Sequence, residues 1–189
     1  MLYPKIETLY VRDKDTFTVT NELRLPEFDI PKKWHVTEKV DGTNVIVTYT
    51  PEHEVTEGHL TLNEDGGVSD HGSVTRTIAP AVRFNGRNGS SQLPGPLNKH
   101  MERVITAPQL EAIFGAIQQE VTLFGEGYGP GIQKGGGDYR ADVSFRLFDI
   151  NVGGLWLNWD SVEDIAEKLD IDTVPVLSKV ASLSEVIQL

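Results

Sequence analysis

Two runs rich in β-branched and aromatic residues, Trp34–Glu38 and Val45–Tyr49, flank the segment Lys39-Val40-Asp41-Gly42-Thr43-Asn44. Such residues favour pleated, half-buried backbone, so both runs read as strands. An Asp-Gly pair between them is a strong hairpin signal, because glycine takes positive φ at no steric cost. A turn of this kind would fix Lys39 beside a sheet and leave one side of it open. Two readings of the lysine stand side by side: a solvated residue next to a turn, or a nucleophile. The second needs a neutral amine. A free lysine titrates near ~10.4, so burial or nearby cations would have to lower that value at a cost of about 1.4 kcal/mol per unit.

The rest of the chain alternates strand-like and helical segments. Residues Leu2–Lys33 carry Pro4, Pro26 and Pro31, and an early strand is expected near Ile6–Val11. Pro51–Gly58 reads as a polar connection, Leu60-Thr61-Leu62 as a short strand, and Asn63–Ser73 as a turn-rich loop. That loop holds Asp65, Asp70 and His71 without the spacing of a calcium loop, which is ordinary loop chemistry. Val82–Gly89 brings Arg83 and Arg87 among glycine and asparagine, a setting in which a guanidinium can clamp a phosphate in two places. Ser90–Asn98, with Pro94-Gly95-Pro96, is expected to be irregular.

A helix is expected from Thr106-Ala107-Pro108, with Leu110, Ile113, Phe114, Ile117 and Val121 at helical spacing. Val121–Phe124 turns strand-like and delivers Glu126 into a glycine-rich run, Gly125–Gly137, that includes Lys134. A carboxylate fenced by glycines suits a ribose, because the backbone can approach the ligand closely. The glycine spacing fits neither the Rossmann nor the P-loop template. Ser144–Ile150 is the next strand. On a regular strand Phe145 and Phe148 face opposite sides, so one packs in the core and the other is available to stack on a base. Asp160-Ser161-Val162-Glu163 and Ser182-Leu183-Ser184-Glu185 are capping boxes that open helices, with a short strand at Val174–Leu177 between them. The second helix has only a few residues before Leu189, which leads to the expectation that the chain ends inside an architecture.

With 189 residues, 39% of them hydrophobic, the chain is long enough for one domain, 1–189, with a proper core. It has no apolar run of membrane-spanning length and no signal-peptide pattern, so a soluble, cytoplasmic protein with no membrane partner is expected. Cysteine is absent and the five histidines show no H-E-x-x-H spacing. A net charge of −11 excludes a protein that coats nucleic acid with its whole surface, but not one that grips a strand end locally. Acidic residues concentrate after Asp160 and basic ones, Lys5 to Lys33, near the start.

Taken together in order and spacing, these segments resemble the ATP-dependent RNA ligases of the covalent nucleotidyltransferase superfamily, particularly the small phage-type enzymes. Lys39 in Lys39-Val40-Asp41-Gly42-Thr43-Asn44 looks like the nucleophile that becomes adenylylated, with Glu38, Asp41, Gly42 and Asn44 around the nucleotide. Arg87 is similar to the family's arginine that contacts the nucleotide, Glu126 to its ribose-binding glutamate, and Phe148 to the ring that stacks on adenine. Arg83 and Lys134 are further candidates for phosphate or RNA contacts. The resemblance implies an α+β nucleotidyltransferase domain, an ATP-grasp-like ligase adenylation domain of antiparallel sheets with packed helices. It also implies ATP and Mg²⁺ as cofactors and RNA ends as partners, with metal ligands unassigned. No Glu-Gly pair and no Lys-x-Lys follows Lys179, so the family's metal-binding glutamate and paired lysines are missing and the domain is expected to be C-terminally incomplete. Three explanations are compatible with that departure: one half of a split ligase completed by a second polypeptide, a non-catalytic module that binds nucleotide or RNA ends, and, ranked last, a purely structural domain whose likeness is only to the fold.

Overall fold

A computed structural model describes residues 1–30, 33–62 and 68–187, the side chains of 59–62, 68–71 and 180–181 excepted. In chain order it contains β1 (Tyr10–Arg12), β2 (Val19–Leu23), β3 (Trp34–Thr37), β4 (Thr43–Thr50), β5 (His53–Leu62), β6 (Val68–Ile78) and β7 (Ala81–Gly86). There follow α1 (Gly95–Val104), α2 (Ala107–Phe114), β8 (Val121–Tyr128), β9 (Ser144–Val152) and β10 (Leu155–Trp156). The last elements are α3 (Trp159–Leu169), β11 (Asp172–Thr173), β12 (Val176–Ala181) and α4 (Leu183–Val186). The architecture is α+β, and every strand pair is antiparallel except β11 with β9. No helix among the described residues is long and apolar enough to cross a membrane.

The chain divides into two compact units, one of Met1 with Asp41–Thr173 and a smaller one of Leu2–Val40 with Val174–Leu189. The larger unit is built on a six-stranded sheet of order β10-β9-β8-β4-β7, with β11 also on β9. Alternate residues on its central strands meet one hydrophobic core: Val45, Val47 and Tyr49 from β4, Val121 and Leu123 from β8, Phe145, Leu147 and Ile150 from β9. Leu97 and Met101 of α1, Leu110 and Phe114 of α2, and Val162, Ile165 and Leu169 of α3 cover that face. Burying each such side chain contributes roughly 1.5–3 kcal/mol, which is what fixes the register of these strands.

The helices begin where local hydrogen bonding dictates. Thr106 N–H donates to Gln109 Oε1 at 3.0 Å, opening α2 with Pro108 in its first turn. The helix stops at Gly115, earlier than the apolar spacing suggests, and Val121 belongs to β8. The expected loop over Ser90–Asn98 gives way to α1, because Pro96 sits in the first turn, where a missing N–H costs nothing. The cap of α3 is Asn158, whose Oδ1 accepts from Ser161 N–H at 2.9 Å, two residues before the expected Asp160. The Ser182 box forms as expected: Ser182 N–H donates to Glu185 Oε2 at 2.6 Å.

β5 and β6 form a long two-stranded ribbon of their own, replacing the expected connection at Pro51–Gly58 and most of the turn-rich loop. Asp65 lies outside the described residues, as do the side chains of Asp70 and His71. In the smaller unit β1 pairs with β2 and β3 with β12. The first strand is Tyr10–Arg12, shorter than expected. Phe28 and Trp34 pack at 5.8 Å between ring centroids, beside a cavity of about 420 Å³ that Leu9, Leu25 and Leu183 also line.

The expected hairpin across Asp41-Gly42 does not form. β3 pairs with β12, whereas β4 lies between β7 and β8. Gly42 is not among the residues of positive φ. It is required for close approach instead: a Cβ there would come within 2.3 Å of the Gly127 carbonyl oxygen and 2.8 Å of Glu126 Cγ.

Candidate functional site

On the sheet face opposite the helices, one row of side chains crosses three strands. Asn44 of β4 is the direct neighbour of Glu126 of β8, and Glu126 is the direct neighbour of Arg146 of β9. Directly opposed residues have Cβ atoms about 5 Å apart, so an amide, a carboxylate and a guanidinium lie side by side. All three are half-buried. Asn44 Oδ1 and Arg146 Nε are buried and make no hydrogen bond among the described residues. Orphaned polar atoms of this kind cost about 1–3 kcal/mol each, so their position calls for a compensating ligand or function. The Arg146 guanidinium lies 5.0 Å from the centroid of the Tyr128 ring. Beyond this row the same face turns apolar, with Ile46 and Phe124 buried and Trp156 packed on Phe124 at 5.4 Å.

Phe148 owes its position to a bulge. Phe124 pairs with Asp149 and Gly125 with Leu147, which leaves Phe148 as the extra residue of β9. Core residues on this strand therefore step from Leu147 to Ile150 rather than to residue 149. Phe145 is 2% exposed and belongs to the core, whereas Phe148 is half-buried and outside that cluster.

The loop from Gly129 to Val143 is shaped by Gly129, whose φ of +121° no L side chain adopts readily. It carries Lys134, which is exposed, and Tyr139, whose hydroxyl accepts the Asp41 N–H at 3.2 Å. Further along, Arg140 Nε donates to Asp142 at 2.5 Å and Nη1 to Ser144 Oγ at 3.1 Å. The bond to Arg140 holds the Asp142 carboxyl below its usual range. Arg87 is exposed in the turn after β7, where Asn88 Oδ1 accepts from Ser91 N–H at 2.6 Å. Arg83 lies opposite Thr48 on the face that carries Asn44 and is exposed.

Lys39 is exposed at the end of the smaller unit, and the half-buried Glu38 donates its N–H to the Pro175 carbonyl at 2.9 Å. Two peptide units join Lys39 to Asp41 of the larger unit, which limits their Cα separation to roughly 7 Å. The sheet thus brings Asn44 and Glu126 together, with Gly42 against them and Phe148 on the adjoining strand. Sequence reasoning missed Arg146, Tyr128 and Tyr139. The signal for Arg146 was a charge alternating with Phe145 and Leu147 inside an apolar strand. Among the described residues no group of three or more histidine, aspartate or glutamate side chains is placed to hold a metal ion.

The fold, a sheet with helices on one face, is similar to that of ATP-dependent RNA ligases. A Naegleria gruberi RNA ligase mutant with ATP and Mn is similar with a TM-score of 0.57 and 18% identity, over 98% of this chain and 52% of that one. Another mutant of that ligase, with AMP and Mn, gives 0.56 and 17%, over 87% and 43%. An archaeal ATP-dependent RNA ligase gives 0.51 and 14%, over 85% and 35%. The chain thus spans about half the length of these ligases or less. No curated protein matches it in sequence. The family model for RNA ligase matches residues 32–188, and the chain belongs to that family.

Proposed function

We propose that the chain is the adenylyltransferase part of an ATP-dependent RNA ligase, with Lys39 as nucleophile. The neutral Lys39 amine attacks the α-phosphate of ATP, displaces pyrophosphate and holds the AMP as a phosphoramidate. Lys39 then yields the AMP to the 5′-phosphate of an RNA end, and attack by a 3′-hydroxyl seals the strands and releases AMP. The observation that carries this reading is the row Asn44, Glu126 and Arg146 across three strands, with two orphaned buried polar atoms, which starts in the strand that begins two residues after Asp41. Glu126 is assigned the ribose hydroxyls, Asn44 a donor on the nucleoside, Phe148 the adenine face, and Arg87 the phosphates. Glu38, Asp41 and Gly42 frame the nucleotide, and Arg83 and Lys134 are assigned to phosphate or RNA.

Mg²⁺ enters with ATP, where it neutralises charge on the triphosphate. In this reading residues 1–189 act as one ATP-grasp-like adenylation domain, and the family's Glu-Gly and Lys-x-Lys segments come from outside this sequence, as in a split ligase.

The test is intact mass after incubation with ATP and Mg²⁺. A gain of one adenylyl group that Lys39→Ala abolishes supports the proposal, and a gain that persists in Lys39→Ala overturns it. Labelling that needs a second polypeptide bearing the two segments would support the split arrangement. ATP binding with no labelling under either condition would favour the non-catalytic module.

A further inference from the structure

The glycine-rich loop touches the nucleophile segment at two points. Tyr139 accepts the Asp41 N–H on its hydroxyl at 3.2 Å. A Cβ built on Gly135 would lie 3.1 Å from Asp41 Oδ2, so the same loop also backs the Asp41 carboxylate. Tyr139 is itself braced: its ring stands edge-on to Tyr128, with centroids 5.6 Å apart and planes at 75°. Tyr128 is 1% exposed and lies under the Arg146 guanidinium, 5.0 Å from its ring centroid. Arg146 is the register partner of Glu126. A continuous strut therefore runs from the middle of the sheet, through two aromatic rings, to the backbone two residues from Lys39.

We propose that Tyr139 is a positioning residue for adenylyl transfer, holding the Asp41-Gly42 backbone and thereby the direction from which the Lys39 amine leaves the chain. The proposal rests on the reading of Lys39 as nucleophile. It gives the tyrosine no contact with ATP. Loss of its hydroxyl should slow the chemical step and leave nucleotide affinity alone, because a nucleophile held less firmly spends less time in line with the α-phosphate.

The experiment compares the full chain with Tyr139→Phe, which keeps the ring against Tyr128, and Tyr139→Leu, which removes both contacts. Two quantities are read: the single-turnover rate of lysyl-AMP formation as a function of ATP, and exchange of the Asp41 amide by NMR. Tyr139→Phe should slow labelling at saturating ATP by about two- to tenfold, the range of one net hydrogen bond. Half-saturating ATP and thermal midpoint should be unchanged, the Asp41 amide should exchange faster, and Tyr139→Leu should be slower still. Unchanged rate and exchange in Tyr139→Phe would overturn the proposal, as would a loss confined to ATP affinity. If the unsubstituted chain forms no lysyl-AMP either alone or with a second polypeptide bearing the two segments, the Lys39 reading fails on its own account. The exchange comparison then decides the tyrosine: faster exchange upholds the strut and equal exchange overturns it.

Discussion

The two faces of the central sheet are made from the same three strands and differ in what they ask of a side chain. On the helix-covered face, Val45, Val47, Leu123 and Leu147 are all 0% exposed and interlock with three helices. At the equivalent level of the other face stand Asn44, Glu126 and Arg146, two of them with buried polar atoms left unbonded. The first face settles the shape. The second holds polar groups at fixed spacing at some cost in stability.

The comparison breaks hardest on the core side. Leu147→Ala should destabilise the fold by about 2–5 kcal/mol, read as a lower denaturant midpoint at unchanged slope. Glu126→Gln should act in the opposite manner. Its midpoint should stay within about 1 kcal/mol, while ATP affinity drops by roughly ten- to a hundredfold, the worth of hydrogen bonds to a charged group. A large loss of stability in Glu126→Gln would make that face structural and end the distinction.

Asn44→Ala sharpens it further. Removing an acceptor that nothing in the described chain satisfies should leave the midpoint unchanged or raised, and weaken ATP binding by about two- to tenfold. The smallest effect belongs to His100 on α1, whose titration is pushed down by burial and by the nearby Arg103 and Arg140. The unfolded chain then binds a proton more readily than the folded one. Stability should be full above the unfolded value of about 6.5 and decline as pH falls from there toward the lower folded value. His100→Gln should flatten that limb of the curve.

Those same faces explain what the sequence disclosed. β4, β8 and β9 were legible because runs of β-branched and aromatic residues suit a buried, pleated backbone, and α2 and α3 because their apolar residues recur at helical spacing. The β5–β6 ribbon has no such record. On one side Val55, Val74 and Ile78 are 37%, 56% and 42% exposed, and on the other stand exposed Glu54, Thr56, Thr75 and Thr77, so neither side of the ribbon selects for apolar residues. Pro94-Gly95-Pro96 was misread because the same proline that breaks a helix interior starts a helix. Asp41-Gly42 misled for a different reason. Its turn propensity is local, but the partner of β3 lies about 140 positions further on, at β12, a distance that local preference does not see. The polar row was half legible: Asn44 and Glu126 stood out, while Arg146 and Tyr128 acquire meaning only from strand register, and Tyr139 only from its loop's contact with Asp41.

The ribbon also says something about how such a chain can change over time. β4 and β7 keep unbroken register from Val45 opposite Gly86 to Thr50 opposite Ala81, so residues 51–80 leave the sheet and return to it on one rung. Lineages can therefore lengthen, trim or replace this excursion while the rows on both faces stay in step. For the experimenter it is a ready port for a tag or a fused domain.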